Sequence, residues 1–336
     1  MRAGAGLGNP RPNPHNIRPG LADLREPGVV TLRVDRTRLL PMADPYGWQI
    51  TTGNGTLLQL LDIAAREAGH RLEGDLYPQG DDDPLQITDA PVARIAFEAD
   101  PSMVPEPLFL AIPERRSTKT GFDMSRLLSP EALAVLRDAV GAAGLTMDVA
   151  ATPETTAPLV TLAGGAIALK MAMPRTPAES IDLLRIGAGE IAPDRDGIDL
   201  HGPMPWWMKR LGLMTAENAQ TPGTLAYQGG LDNAMGWVAG TPALGWLTTG
   251  GNTRADQIQA GRAHMRVDLA AAAAGLAIHP VSQLLQEYSE MAELNARFRA
   301  ATGTVAPATV QMRFRLGYAD RPGPSPLGPV DAIIEA

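Results

Sequence analysis

The sequence contains no cysteine. Disulfides, thiolate nucleophiles and cysteine-based zinc sites are therefore excluded together. The redox compartment stays open, because a cysteine-free chain survives in either environment. Aromatic residues are scarce, at 4% of 336, so the core must be built from Ala, Leu, Val, Ile and Met. An excess of positive charge is also missing. Twenty-nine Lys and Arg against 37 Asp and Glu leave a net charge of −8, which argues against non-specific nucleic-acid binding. No stretch reaches the roughly eighteen unbroken apolar residues of a membrane span. No apolar leader with a cleavage pattern follows Met1, so no signal peptide is expected in this chain. Gly4, Gly6 and Gly8 follow no strand and do not make a dinucleotide loop. Gly-x-Ser-x-Gly and His-Glu-x-x-His are absent, which leaves hydrolase chemistry without support. His264 and His279 have no carboxylate at ligand spacing, so no metal site is expected.

What is present alternates between strand and helix patterns. Residues 29–35 and 92–98 alternate as strands. Residues 55–69 are apolar at helical spacing and end at a glycine. Ser129-Pro130-Glu131 carries a serine cap, a proline at the first helical position and an acid in the first turn. Thr176-Pro177-Ala178-Glu179 repeats the device with Glu at the capping-box position. Residues 200–240 are rich in Gly, Pro, Trp and Met and predict an excursion with short helical pieces. A strand is expected over 244–249, a long helix over 253–276, a helix over about 283–300 and a late strand over 310–318. Residues 55–69 align without gaps on 261–275, matching at six of fifteen positions, among them Gly55 with Gly261 and Asp62 with Asp268. Two fused copies of one α+β unit would produce that echo.

The densest chemistry lies in Arg115-Arg116-Ser117-Thr118-Lys119, three cations and two hydroxyls in five residues. Such a donor set suits a phosphate dianion, since charge-assisted hydrogen bonds are the strong ones. Followed by Phe122-Asp123, it resembles the phosphate-binding opening of the nitroreductase family. Pro12-Asn13-Pro14-His15-Asn16 is similar to that family's Pro-Ser-x-x-Asn loop. Asp196-Gly197-Ile198-Asp199-Leu200, Asn252-Thr253-Arg254-Ala255-Asp256-Gln257 and His279-Pro280-Val281-Ser282-Gln283 resemble its single-chain subgroup, often described with a twin-arginine translocation signal.

The resemblance implies an α+β, nitroreductase-like fold of two pseudo-repeated halves, each with a small antiparallel sheet, around a central helical interface. The halves would span 1–104 and 105–336, with a lid at 200–240 and the chain monomeric as a pseudo-dimer. It implies FMN, held at its phosphate by Arg115, Ser117 and Lys119 with Arg116 close by. Asn13, Pro14, His15 and Asn16 would contact the ring or ribityl chain, and Pro280 and Ser282 would pass along the flavin edge. Lys119 would stand near N1 and O2, where a cation stabilises reduced flavin. No catalytic side chain is expected, since the flavin carries the chemistry. The implied activity is electron transfer from NAD(P)H through FMN to a small-molecule acceptor; the alternative is a protein that sequesters FMN beneath the lid. Export to the periplasm would follow only from a longer precursor with a twin-arginine signal. The chain departs from the family pattern at Arg18-Pro19-Gly20, at Trp48, at Leu327 in Ser325-Pro326-Leu327, and ahead of Pro12, where a helix is expected.

Overall fold

The structure, a computed structural model, describes residues 12–80, 83–141 and 145–335. Gly4, Gly6, Gly8, the other residues ahead of Pro12, and Asp81-Asp82 of the acidic loop lie outside the described residues. The fold is α+β. Strands β1 (Gly20–Asp23) and β2 (Val29–Val34) lead into helix α1 (Trp48–Glu67), then β3 (His70–Leu76) and β4 (Ala93–Ala99). Helix α2 (Pro130–Val140), strand β5 (Leu145–Ala150), helix α3 (Pro153–Ala172) and helix α4 (Arg175–Asp182) follow. The excursion holds β6 (Leu184–Ile186), α5 (Ala188–Asp194), β7 (Ile198–Leu200), α6 (Pro203–Arg210), α7 (Ala216–Gln220) and α8 (Leu225–Ala239). Strand β8 (Ala243–Thr249), helix α9 (Arg254–Ala273), strand β9 (Ala277–Pro280), helix α10 (Ala292–Thr302) and strand β10 (Thr309–Gly317) complete the framework.

Two four-stranded antiparallel sheets run in the orders β1-β2-β4-β3 and β5-β8-β10-β9. In each, the helix between the second strand and the next has twenty residues. The two helices cross where sequence alignment pairs their glycines. A Cβ built on Gly55 would lie 2.1 Å from the Ile258 carbonyl oxygen, and one on Gly261 2.0 Å from that of Thr52. Only hydrogen fits there. The backbones approach this closely because both helices present glycine at one point, as small-residue crossings require.

Most expected elements stand near their expected bounds, with three differences. Helix α1 begins at Trp48, seven residues before Gly55, because the Asp44 carboxylate accepts from the amides of Gln49 (3.0 Å) and Ile50 (3.0 Å). Thr176 does not cap α4. Its hydroxyl donates instead to the Lys170 carbonyl at 2.7 Å, and Glu179 turns away to the Met42 and Ala43 amides. The helix expected from 283 starts at Ala292, after two short 3-10 turns.

Helix α3 is long and apolar enough by composition to cross a membrane, with a mean hydropathy of 1.3. One face of it is packed against protein. Leu159, Leu162 and Ala166 pack with Leu284, Leu285 and Phe298, and Ala163 and Ile167 pack with Val238 of α8.

Candidate functional site

The 115–119 run is extended and lies beside β9. The Thr118 amide donates to the Ile278 carbonyl at 2.9 Å, and Ser117 bridges Ile278 in parallel. Arg315 of β10 holds the segment that follows. Its guanidinium donates to the Thr120 carbonyl at 2.9 Å, to Thr241 Oγ1 at 2.8 Å and to the Gly240 carbonyl at 2.9 Å, and it lies 4.2 Å from the Phe122 ring centroid. Extended backbone sends successive side chains to opposite faces, and the run is divided accordingly. Thr118 is buried, whereas Lys119 is exposed.

Arg115 turns to helix α9, where its Nη1 meets Asp268 Oδ2 at 3.1 Å. Burial raises the Asp268 carboxyl to about 6, against the pull of Arg115. Arg116 donates to the Pro113 carbonyl at 2.8 Å and to its neighbour's carbonyl at 2.7 Å. With Glu114, Thr118, Asp268 and Arg321 it lines a cavity of about 170 Å³. The five residues thus serve two places rather than one.

The 12–16 turn is seated on α1. Thr56 Oγ1 donates to the Pro12 carbonyl at 2.9 Å, and Gly53 leaves room for Asn13 and Pro14, which a Cβ would approach at 3.5 and 3.6 Å. Asn13 Oδ1 accepts from the Arg18 amide at 2.8 Å. His15 and Asn16 have φ of 51° and 55°, the left-handed region that non-glycine residues rarely enter. Consecutive residues held there persist only where surrounding contacts over-determine them. Those contacts are visible: Asn16 Nδ2 donates to the Pro326 carbonyl at 3.2 Å, and the Asn16 carbonyl accepts from the Gly197 amide at 3.4 Å. Arg18, buried, pairs with Asp196 at 3.8 Å.

The two segments are linked through charge. His15 is pushed down to about 3, by burial first and then by the charges of Lys170 and Lys119. His279 of β9 is held well below its ordinary value by burial, by Arg315 and again by Lys119. Lys119 therefore stands within electrostatic reach of both the turn and β9. His15 and Lys170 are both half-buried.

Pro280 pairs with Phe314 in the sheet. Ser282 Oγ donates to Gln49 Oε1 at 2.9 Å, joining the end of β9 to the start of α1. His279 also meets the Trp237 ring, with centroids 4.8 Å apart. Among the described residues no group of three or more His, Asp or Glu is placed to hold a metal ion. Trp48 is buried at the start of α1, its Nε1 donating to Gln311 Oε1 at 2.8 Å.

Sequence reasoning missed Lys170, Arg315 and Gln49. Lys170 had one signal: it is the sole charged residue between Glu154 and Arg175. A charge kept in so apolar a helix needs a reason.

No protein-family profile matches the chain. No curated protein matches it. Solved structures to which it is similar include nitroreductases. A nitroreductase with bound FMN from Desulfitobacterium hafniense aligns over 69% of this chain and 99% of its own, at 14% identity and a TM-score of 0.41. One with bound FMN from Bacteroides fragilis aligns over 64% and 89%, at 14% identity and a TM-score of 0.38. An FMN-dependent nitroreductase of Mycobacterium smegmatis, solved with NADPH, aligns over 62% and 86%, at 17% identity and a TM-score of 0.37.

Proposed function

We propose that this protein is an FMN-binding, nitroreductase-like oxidoreductase that takes electrons from NAD(P)H and passes them to a small-molecule acceptor. The observation that carries the reading is Lys119. It is exposed in the phosphate-type run, whose Ser117 and Thr118 lie along Ile278 of β9 just before Pro280 and Ser282. The donor set fits an anionic nucleotide. Among the described residues, Lys119 and Lys170 have no carboxylate within salt-bridge distance, and the Lys170 ammonium donates only one long hydrogen bond, to Ser180 Oγ at 3.5 Å.

In this reading the chain is two β-β-α-β-β units, the first ending near residue 104, with the site between them. Their shared strand order, equal helix lengths and glycine crossing support it. Ser117 and Lys119 would hold the FMN phosphate or its pyrimidine edge. Asn13, Pro14, His15 and Asn16 would line the opposite wall, and the backbone at Pro280 to Ser282 would follow the flavin edge. Bound FMN supplies hydride and electron-transfer chemistry. The protein's own part is orientation and charge. A His15 held neutral would offer a hydrogen bond without adding a cation, and Lys119 would stabilise negative charge at the ring or phosphate. The Arg115–Asp268 pair would fix the start of the run against α9.

The test is flavin content. Wild-type protein, purified or reconstituted with FMN, should be yellow, and NADPH without oxygen should bleach it. Lys119→Ala should lose most of its flavin, because a charged partner worth roughly 1.5–3 kcal/mol is removed. Lys119 is the clean choice, since Arg115→Ala would also strand the buried Asp268 carboxylate. A wild-type protein that takes up no FMN sinks the proposal. One that holds FMN but resists NADPH is a flavin store instead.

A further inference from the structure

Arg315 of β10 and His279 of β9 stand directly opposite one another in the sheet, so their side chains rise on one face. The Arg315 guanidinium is buried and its hydrogen bonds are fixed. Nε donates to Thr241 Oγ1 at 2.8 Å, Nη2 to the carbonyls of Thr120 and Gly240 at 2.9 Å each, and Nη1 to His279 Nδ1 at 3.1 Å. The last of these decides a tautomer. A guanidinium donates and never accepts, so Nδ1 must offer a bare lone pair, and the proton of the neutral ring then sits on Nε2. A protonated His279 would set two cations together with no hydrogen bond between them. Burial, Arg315 and Lys119 accordingly hold its pKa well below the ordinary value. The Nε2–H group has no acceptor among the described residues, while the residue keeps 6% of its surface accessible. A donor so nearly buried costs free energy until an acceptor meets it. The same guanidinium also joins the two stretches of the site, since Thr120 follows Lys119 and His279 precedes Pro280. Among the described residues no carboxylate lies within salt-bridge distance of Arg315, and burial lowers its pKa to about 10.

We propose that Arg315 is a positioning residue that fixes His279 as an Nε2–H donor for an acceptor atom, N5 or O4, on the edge of the bound flavin. This rests on the flavin reading, in which Pro280 to Ser282 follow that edge. Lys119 and His279 then act differently on one cofactor. Lys119 brings charge, His279 brings a directed hydrogen bond without a second cation, and Arg315 holds both through the Thr120 carbonyl and Nδ1. A plain brace between strands would leave the choice of tautomer open.

The experiment is NMR of the ring nitrogens in protein carrying nitrogen-15 histidine, read without FMN and with it. The chain has five histidines, and His279→Phe identifies the signals of this one by their loss. In wild type Nδ1 should resonate as a bare nitrogen and Nε2 as a protonated one, and FMN should move the Nε2–H proton downfield. Arg315→Met removes the donor to Nδ1, so both tautomers should be populated. His279→Phe should bind FMN about fivefold more weakly, the loss of one neutral hydrogen bond. A protonated Nδ1 in wild type overturns the proposal, as does an unchanged tautomer in Arg315→Met. An Nε2–H signal that FMN leaves in place at full occupancy overturns it too. Should Arg315→Met fail to fold, the wild-type tautomer and the His279→Phe affinity decide. If wild type takes up no FMN, the cofactor reading falls, and the tautomer in that same sample judges Arg315 by itself.

Discussion

The crossing of α1 with α9 and the excursion from α4 to α8 are built by opposite rules. Thirteen of the twenty residues of α1 are buried, among them Thr51, Thr52, Asn54 and Gln59. In α8 three of fifteen are buried, and in α6 none. Met204, Trp207, Leu211 and Leu225 of the excursion are more than half exposed. At the crossing two backbones touch with no side chain between them. In the excursion, packing is one-sided and leaves room. Substitutions should therefore be costly on one side and cheap on the other.

Gly261→Ala should have the largest effect. Its Cβ would lie 2.0 Å from the Thr52 carbonyl oxygen and 3.0 Å from Gly55 Cα, backbone on both counts. Neither helix can yield without shifting the sheet it packs on, so a loss of about 3 kcal/mol or more is expected. Urea unfolding of wild type and variant measures it. A variant as stable as wild type would show that the crossing is looser than the geometry states.

His264→Leu, also on α9, sharpens the comparison through pH. The imidazole is fully buried 5.5 Å from the Phe314 ring, neither nitrogen has a hydrogen-bond partner among the described residues, and burial, with the Arg115 charge, holds it down to about 3. A folded pKa below the unfolded one contributes stability above the unfolded value, which is lost as pH falls through 6.5 toward 3. At pH 5 that loss is about 2 kcal/mol. The leucine variant escapes it, so its advantage over wild type should widen by about that amount between pH 8 and pH 5. Asp268, raised to about 6, acts in the opposite direction but is common to both proteins. Parallel pH curves for the two proteins would end the argument.

The same contrast explains what could be read in advance. Strands β2, β4, β8 and β10 carry alternation or β-branched runs, and α9 announces itself with Thr253 and Asp256, which form its capping box. Those signals are local, and local rules found them. The first two turns of α1 escaped because Thr51, Thr52, Gly53 and Asn54 look like a loop. They are helical because the Asp44 carboxylate caps the turn at Gln49 and Ile50 and because α9 packs over them. At the site, the two segments could be named from their residues, but their partners could not. Arg115 belongs to Asp268 and Ser282 to Gln49, both through contacts that no spacing in the sequence encodes.

The smallest effect, and the only gain, is expected in the excursion. Gly229 lies inside α8 on its exposed side, and a Cβ there would meet nothing within 4 Å. Its φ is not in the left-handed range, so alanine fits the native backbone. Alanine narrows the unfolded ensemble and favours helix, so Gly229→Ala should stabilise by roughly 0.4–1 kcal/mol. The same substitution at Gly261 should cost several times as much, although both glycines sit in helices. What separates them is the partner backbone at 2.0 Å. A thermal midpoint that rises for Gly229→Ala and collapses for Gly261→Ala reads that distance directly. If both fall together, α8 is packed as tightly as the crossing and the contrast between the two regions disappears.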